Sequence, residues 1–137
     1  MLKQHMSHNV QIRVYYEDTD AGGIVYYANY LKFCERGRTE CLRSLGFENK
    51  SLMVNEGVLF VVHHIEADYT RPARLDDLLT VETAVADARN AGFTMKQEVR
   101  RGGDVIFNMT VDLACVNKEG RPVRLPEGVR KALEKNG

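Results

Sequence analysis

The sequence has no excess of either charge and no long apolar run. Its 137 residues include 19 Lys and Arg and 19 Asp and Glu, so the formal net charge at pH 7 is zero. A chain without net charge is a poor candidate for a polyanion binder, and we expect no nucleic-acid partner. No run approaches the length of a membrane-spanning helix, and the opening MLKQHMSHNV lacks the apolar centre of a signal peptide. We therefore expect a cytoplasmic protein without a membrane span.

Cysteine and proline are also scarce. The three cysteines, Cys34, Cys41 and Cys115, have no paired short spacings, and two of them fall on a helical pattern. This favours reduced, structural thiols over a disulfide or a catalytic thiol. Repeats, low-complexity segments and interdomain linkers are absent from the sequence. Its length then predicts one domain over residues 1–137, of which residues 1–9 are expected to be flexible.

The first half of the chain changes from a strand pattern to a helix pattern. Every second residue from Val10 to Tyr16 is apolar, which predicts a half-buried strand over residues 10–16. From Ile24 onward the apolar residues recur at steps of three and four, which predicts a long amphipathic helix that ends at Gly46, with Phe47 folding back onto it. The apolar positions of this helix are Ile24, Ala28, Leu31, Cys34, Cys41, Leu42 and Leu45.

The second half reads mostly as strands. After a short helical or irregular link at residues 51–56, strands are predicted at residues 58–69, 78–86, 93–100 and 105–116, and a short helix at 126–135. The glycine pair between Arg101 and Asp104 is a tight hairpin signal. Short connections favour antiparallel neighbours, and one amphipathic helix needs a sheet face to cover. We predict an α+β fold, with a curved antiparallel sheet of about five strands wrapped around one long central helix.

Three carboxylates lie together just before the predicted helix. Glu17, Asp18 and Asp20 precede Gly22 and Gly23, which leave room for a substrate to approach the backbone. The free N–H groups at a helix start favour an anion or a developing oxyanion. A carboxylate there could attack an acyl carbon or position a water molecule. Two other interpretations stay open at this point: an aspartate that caps the helix, or a divalent metal held by the three acids.

A second polar set lies on one of the predicted strands. His64, Glu66 and Asp68 alternate along it and share one face. Since no fourth ligand closes a metal site, a solvated polar face is the favoured interpretation, and we expect no bound metal. His63 would then face the opposite, more apolar side of the strand, where we expect it to be buried.

The segment VYYEDTDAGGIVYYANYLKFCERGRTE, residues 14–40, resembles the signature of the hotdog-fold acyl-CoA thioesterases of the 4-hydroxybenzoyl-CoA type. Within that family it is most similar to the bacterial Tol-Pal-associated (YbgC-like) branch. The likeness continues through Phe60-Val61-Val62 and through YTRPARLDD at residues 69–77. It implies a hotdog fold and hydrolysis of a fatty or aromatic acyl-CoA to free acid and CoA, without a cofactor. It also implies homodimers or homotetramers with active sites at the dimer interface, and an acyl carrier protein as a possible partner.

The same resemblance implies roles for individual residues. Asp20 matches the catalytic carboxylate, acting as nucleophile or general base, and Tyr27 matches the backbone donor to the thioester oxygen on the first helical turn. Tyr16 matches a further active-site position. Where the branch usually has histidine this chain has Tyr27, so the backbone N–H is kept and an imidazole is not. The residues expected to bind substrate are Gly22, Gly23, Val25, Phe60 and Val61.

Two further expectations follow from this family. A non-catalytic protein of the cell-envelope machinery that binds acyl-CoA or an acyl carrier protein is the alternative function. A hotdog dehydratase fits less well, because that chemistry generally uses a histidine and the motif contains none. Because CoA carries phosphates, arginines near the cleft are expected to bind it, and the candidates by charge are Arg71, Arg74, Arg89, Arg100 and Arg101.

Overall fold

A computed structural model describes residues 7–136. The five strands form one antiparallel sheet in the order β1-β3-β4-β5-β2, so the first two strands of the sequence are its two edges. The predicted α+β architecture, with five antiparallel strands and one long helix, is confirmed. The elements are β1 (Ser7–Arg13), α1 (Asn29–Ser44), α2 (Asn49–Glu56), β2 (Leu59–Tyr69), β3 (Leu78–Ala88), β4 (Gly92–Arg101), β5 (Asp104–Val116) and α3 (Glu127–Asn136).

The core lies between α1 and one face of this sheet. The predicted alternation is confirmed in β3 and β5, whose inward residues pack against α1 and its flanks. Gly102 and Gly103 form the tight turn between β4 and β5, with Gly102 in the left-handed region at φ +62°. Val105, directly after this turn, is only half-buried. The buried residues on the two strands include Leu79, Val81, Thr83, Val85, Phe107, Met109, Val111, Leu113 and Cys115.

The middle of α1 approaches the sheet closely at Gly37. A Cβ atom at this position would lie 2.7 Å from Val81 Cγ1 and 2.9 Å from Thr83 Oγ1, closer than real Cβ contacts. Only a glycine therefore lets the helix backbone reach this depth without displacing side chains of β3.

A buried glutamine on β4 fixes the same part of α1. The Gln97 side-chain amide donates to the Cys34 carbonyl oxygen at 2.8 Å and to the Thr83 hydroxyl at 2.9 Å. The Arg38 guanidinium donates to the Gln97 side-chain oxygen at 3.1 Å. Every polar group of the buried amide thus has a partner, so its burial is compensated.

The predicted end of α1 is confirmed. Gly46 takes the left-handed conformation with φ +98°, and the Phe47 N–H donates to the Leu42 carbonyl oxygen at 2.9 Å. Phe47 packs against the core, as the helix-termination pattern predicts. The link predicted at residues 51–56 is part of α2, and the predicted C-terminal helix is α3.

The predicted start of α1 was wrong. The helix begins at Asn29, five residues after Ile24. Ile24 forms an isolated β-bridge with Arg74, and Val25 forms one with Thr19. These backbone pairings hold the segment extended, although its apolar spacing happens to continue the helical period of α1.

The boundaries of the first strand also differ from the prediction. β1 starts at Ser7, so residues 7–9, expected to be flexible, pair with β3; the remainder of that predicted flexible start lies outside the described residues. β1 ends at Arg13, and a 3₁₀ turn follows at Tyr16–Asp18. Tyr16, predicted on the inward face, is therefore 83% exposed.

His63 was predicted to be buried, and this was wrong. β2 is an edge strand, and a bulge between Val62 and His64 interrupts its alternation. His63 is consequently exposed. His64, Glu66 and Asp68 are exposed, as predicted for a solvated face.

All three cysteines are buried and free, which confirms the prediction of structural thiols. Burial raises the pKa of Cys34 to about 12 and that of Cys41 to about 11, so both thiols keep their protons at neutral pH. Across residues 7–136, no helix combines the length and apolar character that crossing a membrane requires.

Candidate functional site

The acidic cluster forms a tight loop before α1. The Asp18 carboxylate accepts a hydrogen bond from the Tyr15 N–H at 2.9 Å, and Asp20 Oδ1 accepts one from the Gly22 N–H at 2.9 Å. The N-cap of α1 is Ala28, and no side chain caps the helix there. Capping of α1 by Asp18 or Asp20 is therefore excluded.

Asp20 lies at the exposed end of this loop. Its N–H donates to the Ile24 carbonyl oxygen at 2.8 Å, and its carbonyl oxygen accepts the Gly23 N–H at 3.0 Å. Gly23 has φ +81°, a conformation that a side chain would strain. Among the described residues, none donates a hydrogen bond to Asp20 Oδ2. The loop thus fixes one carboxylate oxygen of Asp20, while the other accepts no hydrogen bond from the described residues.

A cavity of about 370 Å³ opens beside the loop. Its walls come from the segment before α1, the first turn of α1 and the segment that follows β2. Val25, Tyr27, Tyr30, Tyr69 and Arg71 are among the residues that line it. Predominantly apolar walls with a few polar groups are typical of a small-molecule site.

Two buried side chains of α1 hold the surrounding loops. The Asn29 side-chain amide, in a residue only 9% exposed, donates to the Asp18 carbonyl oxygen at 2.9 Å. The Tyr30 hydroxyl accepts a hydrogen bond from the Ala73 N–H at 3.0 Å, and burial raises the pKa of this phenol. The start of α1 is thereby tied both to the acidic loop and to the segment after β2.

A third tie comes from the end of β2. The Tyr69 hydroxyl donates to the Tyr27 carbonyl oxygen at 2.9 Å. The Tyr69 ring packs edge-on against Phe107 at a centroid distance of 4.8 Å, and partial burial is the main cause that raises its pKa. The Tyr30 ring stacks on the same Phe107 at 4.9 Å. Tyr30 and Tyr69, which both line the cavity, are thus packed against the same buried aromatic ring.

Tyr27 lies two residues before α1, so the prediction that places it on the first helical turn was wrong. Its neighbours nevertheless use their N–H groups: the Tyr26 N–H donates to the Asp18 carbonyl oxygen and the Asn29 N–H to the Tyr26 carbonyl oxygen. Within residues 7–136, the Tyr27 N–H has no acceptor in hydrogen-bonding range. Tyr27 also lines the cavity, and a free backbone donor is the kind of group that stabilises a developing oxyanion.

The structure brings together some of the predicted site residues and separates others. Val25 and Tyr27 line the cavity, whereas Asp20, Gly22 and Gly23 form the loop just before its wall and do not line it. Tyr16 is on the exposed 3₁₀ turn and does not line this cavity. Phe60 and Val61, the other two predicted residues, line a second cavity of about 270 Å³ in the same chain. This cavity lies near the Leu59 end of β2, whereas the first lies near the Tyr69 end.

Sequence reasoning missed Asn29, Tyr30 and Tyr69. Asn29 could have been noticed, because it is an amide next to the apolar stripe of a predicted helix, where a buried polar group needs a partner. The two tyrosines carry no such signal, because an aromatic residue at a core position is normally there for packing.

Comparison with known proteins agrees with this architecture. The family model described as the thioesterase superfamily matches residues 22–107. The chain is 45% identical over 123 residues to acyl-CoA thioesterase YbgC of Haemophilus influenzae, which covers 89% of this chain and 90% of that relative. It is 41% identical over 120 residues to acyl-CoA thioester hydrolase YbgC of Escherichia coli O157:H7, covering 86% and 89%. The crystal structure of a probable thioesterase from Bartonella henselae superimposes with a TM-score of 0.86 at 44% identity, covering 88% of this chain and 100% of that one.

Proposed function

The chain belongs to the thioesterase superfamily, and on that premise we propose that it hydrolyses the thioester of an acyl-CoA to the free acid and CoA. One observation carries this proposal: Tyr27, whose N–H lacks an acceptor among the described residues, lines a cavity together with Ile24, whose carbonyl oxygen accepts the Asp20 N–H at 2.8 Å. Relatives that are named acyl-CoA thioesterases support CoA as the carrier of the acyl group.

In the proposed reaction, the Tyr27 N–H donates a hydrogen bond to the thioester oxygen as that oxygen becomes negative. Asp20 Oδ2 either attacks the thioester carbon or takes a proton from a water molecule that attacks it. The carbon–sulfur bond then breaks, and CoA leaves as the thiolate and takes up a proton. In the first route, water hydrolyses the mixed anhydride on Asp20 to release the acid.

We also propose that the active enzyme is a homo-oligomer built across the edge of β2. This edge has no neighbouring strand among the described residues, and it exposes the large apolar side chains of Val61, Val62 and Tyr69. An unpaired edge with exposed apolar residues favours pairing with another copy.

A two-fold pairing of β2 edges would explain the separation of the predicted site residues. The cavity lined by Tyr27 lies near the Tyr69 end of β2, and the cavity lined by Phe60 and Val61 lies near the Leu59 end. In an antiparallel pair, each end faces the opposite end of the partner. Phe60 and Val61 of one subunit would then extend the cavity beside Asp20 of the other.

Thiol release tests the activity directly. The purified protein is supplied with short, long and aromatic acyl-CoAs, and free CoA is followed with a thiol reagent. Turnover of at least one class supports the proposal. Tight binding of acyl-CoA without thiol release from any of them would instead favour the non-catalytic binding protein.

Light scattering tests the assembly. Val62→Asp places a charge on the exposed edge of β2 and should yield monomers with little turnover. Val54→Asp is the matched control, because Val54 is an exposed valine of α2 and not of the β2 edge itself, and the oligomer should persist. A fully active wild-type monomer would contradict the shared site. The choice between dimer and tetramer, the cytoplasmic location, the Tol-Pal association and the acyl carrier protein partner stay predictions.

A further inference from the structure

The segment after β2 is held rigidly beside the cavity. The Asp77 carboxylate accepts hydrogen bonds from the Arg74 N–H at 2.8 Å and from the Arg101 guanidinium at 3.0 Å. Arg101 also donates to the Pro72 carbonyl oxygen at 2.8 Å, and Arg13 donates to the Asp76 carbonyl oxygen at 2.7 Å. The side chains of Asp77, Arg101 and Arg13 therefore fix the backbone of residues 72–77. We call residues 71–77 the arginine arm.

The tip of the arginine arm is strained. Asp76 has φ +72°, and it is the only non-glycine residue with positive φ in the described part of the chain. Its N–H donates to the Val14 carbonyl oxygen at 2.9 Å, so pairing with the chain after β1 maintains this conformation. Strain of this kind costs about 1–3 kcal/mol and persists where the surrounding structure demands a particular geometry. Leu75, the residue before it, is 46% exposed.

The candidate arginines differ in whether their guanidinium groups already form ion pairs with carboxylates of the chain. Arg89 pairs with Asp87, Arg100 with two glutamates and Arg101 with Asp77. By contrast, no carboxylate within residues 7–136 lies within 4 Å of the Arg74 guanidinium.

Arg71 lies between these two extremes. Its guanidinium is 3.4 Å from Asp104, and the two side chains are 59% and 64% exposed. An exposed pair of this length contributes little, so a phosphate group could readily replace the carboxylate.

Arg71 lies at the cavity lined by Tyr27, and Arg74 lies next to its wall. Arg71 lines the cavity, and the backbone of Arg74 forms a bridge with Ile24, another residue of its wall. In the proposed reaction the thioester binds in this cavity, so the remainder of CoA has to extend out through its mouth. CoA ends in a phosphorylated adenosine diphosphate, which needs cationic partners and an apolar surface for the base.

We infer that the arginine arm binds the nucleotide end of CoA, with Arg71 and Arg74 on its phosphates and Leu75 against its adenine. This inference rests on the proposed function and deepens it, because it assigns the carrier part of the substrate to particular residues. Arg89, Arg100 and Arg101 keep structural partners and do not contribute.

Two substrates with the same acyl group test the assignment. Acyl-CoA carries the nucleotide, and the acyl-pantetheine thioester lacks it. Arg71→Gln and Arg74→Gln should each raise KM for acyl-CoA about fivefold, with kcat and the KM for acyl-pantetheine unchanged. Lys131→Gln, on the exposed face of α3, removes the same charge and should change neither KM. Circular dichroism confirms that each variant is folded.

Calorimetric binding of CoA separates this inference from the proposed function. If the wild-type protein turned over no thioester but Arg74→Gln still weakened CoA binding severalfold, the nucleotide site would stand and the hydrolysis would fail. If turnover were found and both arginine variants kept the wild-type KM for acyl-CoA, the nucleotide site would be refuted. An equal rise in KM for acyl-CoA and acyl-pantetheine would also refute it, because the arginines would then act on the shape of the cavity.

Discussion

The Tyr69 hydroxyl donates to the Tyr27 carbonyl oxygen at 2.9 Å, and this hydrogen bond joins the last residue of β2 to the segment before α1. It fixes the plane of a peptide group next to the N–H that we assign to the oxyanion. Tyr69→Phe removes the bond and keeps the ring on Phe107. We expect kcat to fall about tenfold, because the donor loses its orientation, while the free energy of unfolding falls by about 1 kcal/mol. Steady-state kinetics and urea unfolding measure both; an unchanged kcat would show that the tie is only structural.

The assignment of Asp20 predicts a large and selective loss of activity. Asp20→Asn keeps an oxygen for the Gly22 N–H but removes the anion, so kcat should fall by orders of magnitude while the free energy of unfolding changes by about 1 kcal/mol or less. Asp18→Asn is the matched control: its side chain accepts the Tyr15 N–H, and the rate should change only mildly. Near-normal turnover of Asp20→Asn, with inactive Asp18→Asn, would move the catalytic role to Asp18.

Replacing Gly37 by alanine should change the free energy of unfolding in the direction opposite to that expected from helix propensity. Alanine normally stabilises a helix relative to glycine by about 1 kcal/mol, but a methyl group here meets Val81 and Thr83. Gly37→Ala should therefore lower the free energy of unfolding by about 1–3 kcal/mol. Gly128→Ala in α3 is the control, since no atom lies within 4 Å of its added Cβ, and it should be neutral or stabilising. Equal effects in urea titrations would argue against the close approach of α1 to the sheet.

The buried thiols predict a loss of stability at alkaline pH. Cys34 holds its proton in the folded state up to a pKa of about 12, against 9.0 for an ordinary thiol. The folded pKa is raised, so this stabilisation is complete below pH 9 and declines as the pH rises toward 12. One fully titrating thiol contributes a slope of about 1.4 kcal/mol per pH unit. Cys34→Ala should have a lower free energy of unfolding at pH 7, and urea titrations should show a smaller decline of that free energy between pH 9 and 11. An unchanged decline would mean that other groups cause the loss of stability at alkaline pH.

Sequence patterns predicted the elements whose structure depends on local periodicity. The alternation of β3 and β5 follows from one buried face, and Gly46 marks the end of α1 because only glycine readily takes the left-handed conformation there. The start of α1 depends on a bridge from Ile24 to Arg74, two residues far apart in the chain. No local period contains such information.

For the candidate site, too, local sequence patterns predicted only part of the structure. The motif places Asp20 and its glycine pair in a loop before α1, as the structure has them, and the role of each residue stays a prediction. The ties made by Asn29, Tyr30 and Tyr69 join elements that come together only in the folded sheet. The position of Phe60 and Val61 at a second cavity could not be predicted either, because it depends on which strands form the edges.

The order of the sheet also has a consequence for synthesis of the chain on the ribosome. The two edge strands come first in the sequence, and each waits for a partner that is made much later: Val10 pairs with Val81, and Phe60 pairs with Cys115. β1 and α1 lack the strand that packs beside them until β3 has emerged, and β2 lacks its partner until β5 has emerged. The nascent protein therefore passes through a long stage in which β2 is an unpaired, aggregation-prone strand, and the sheet is completed only with the last strand.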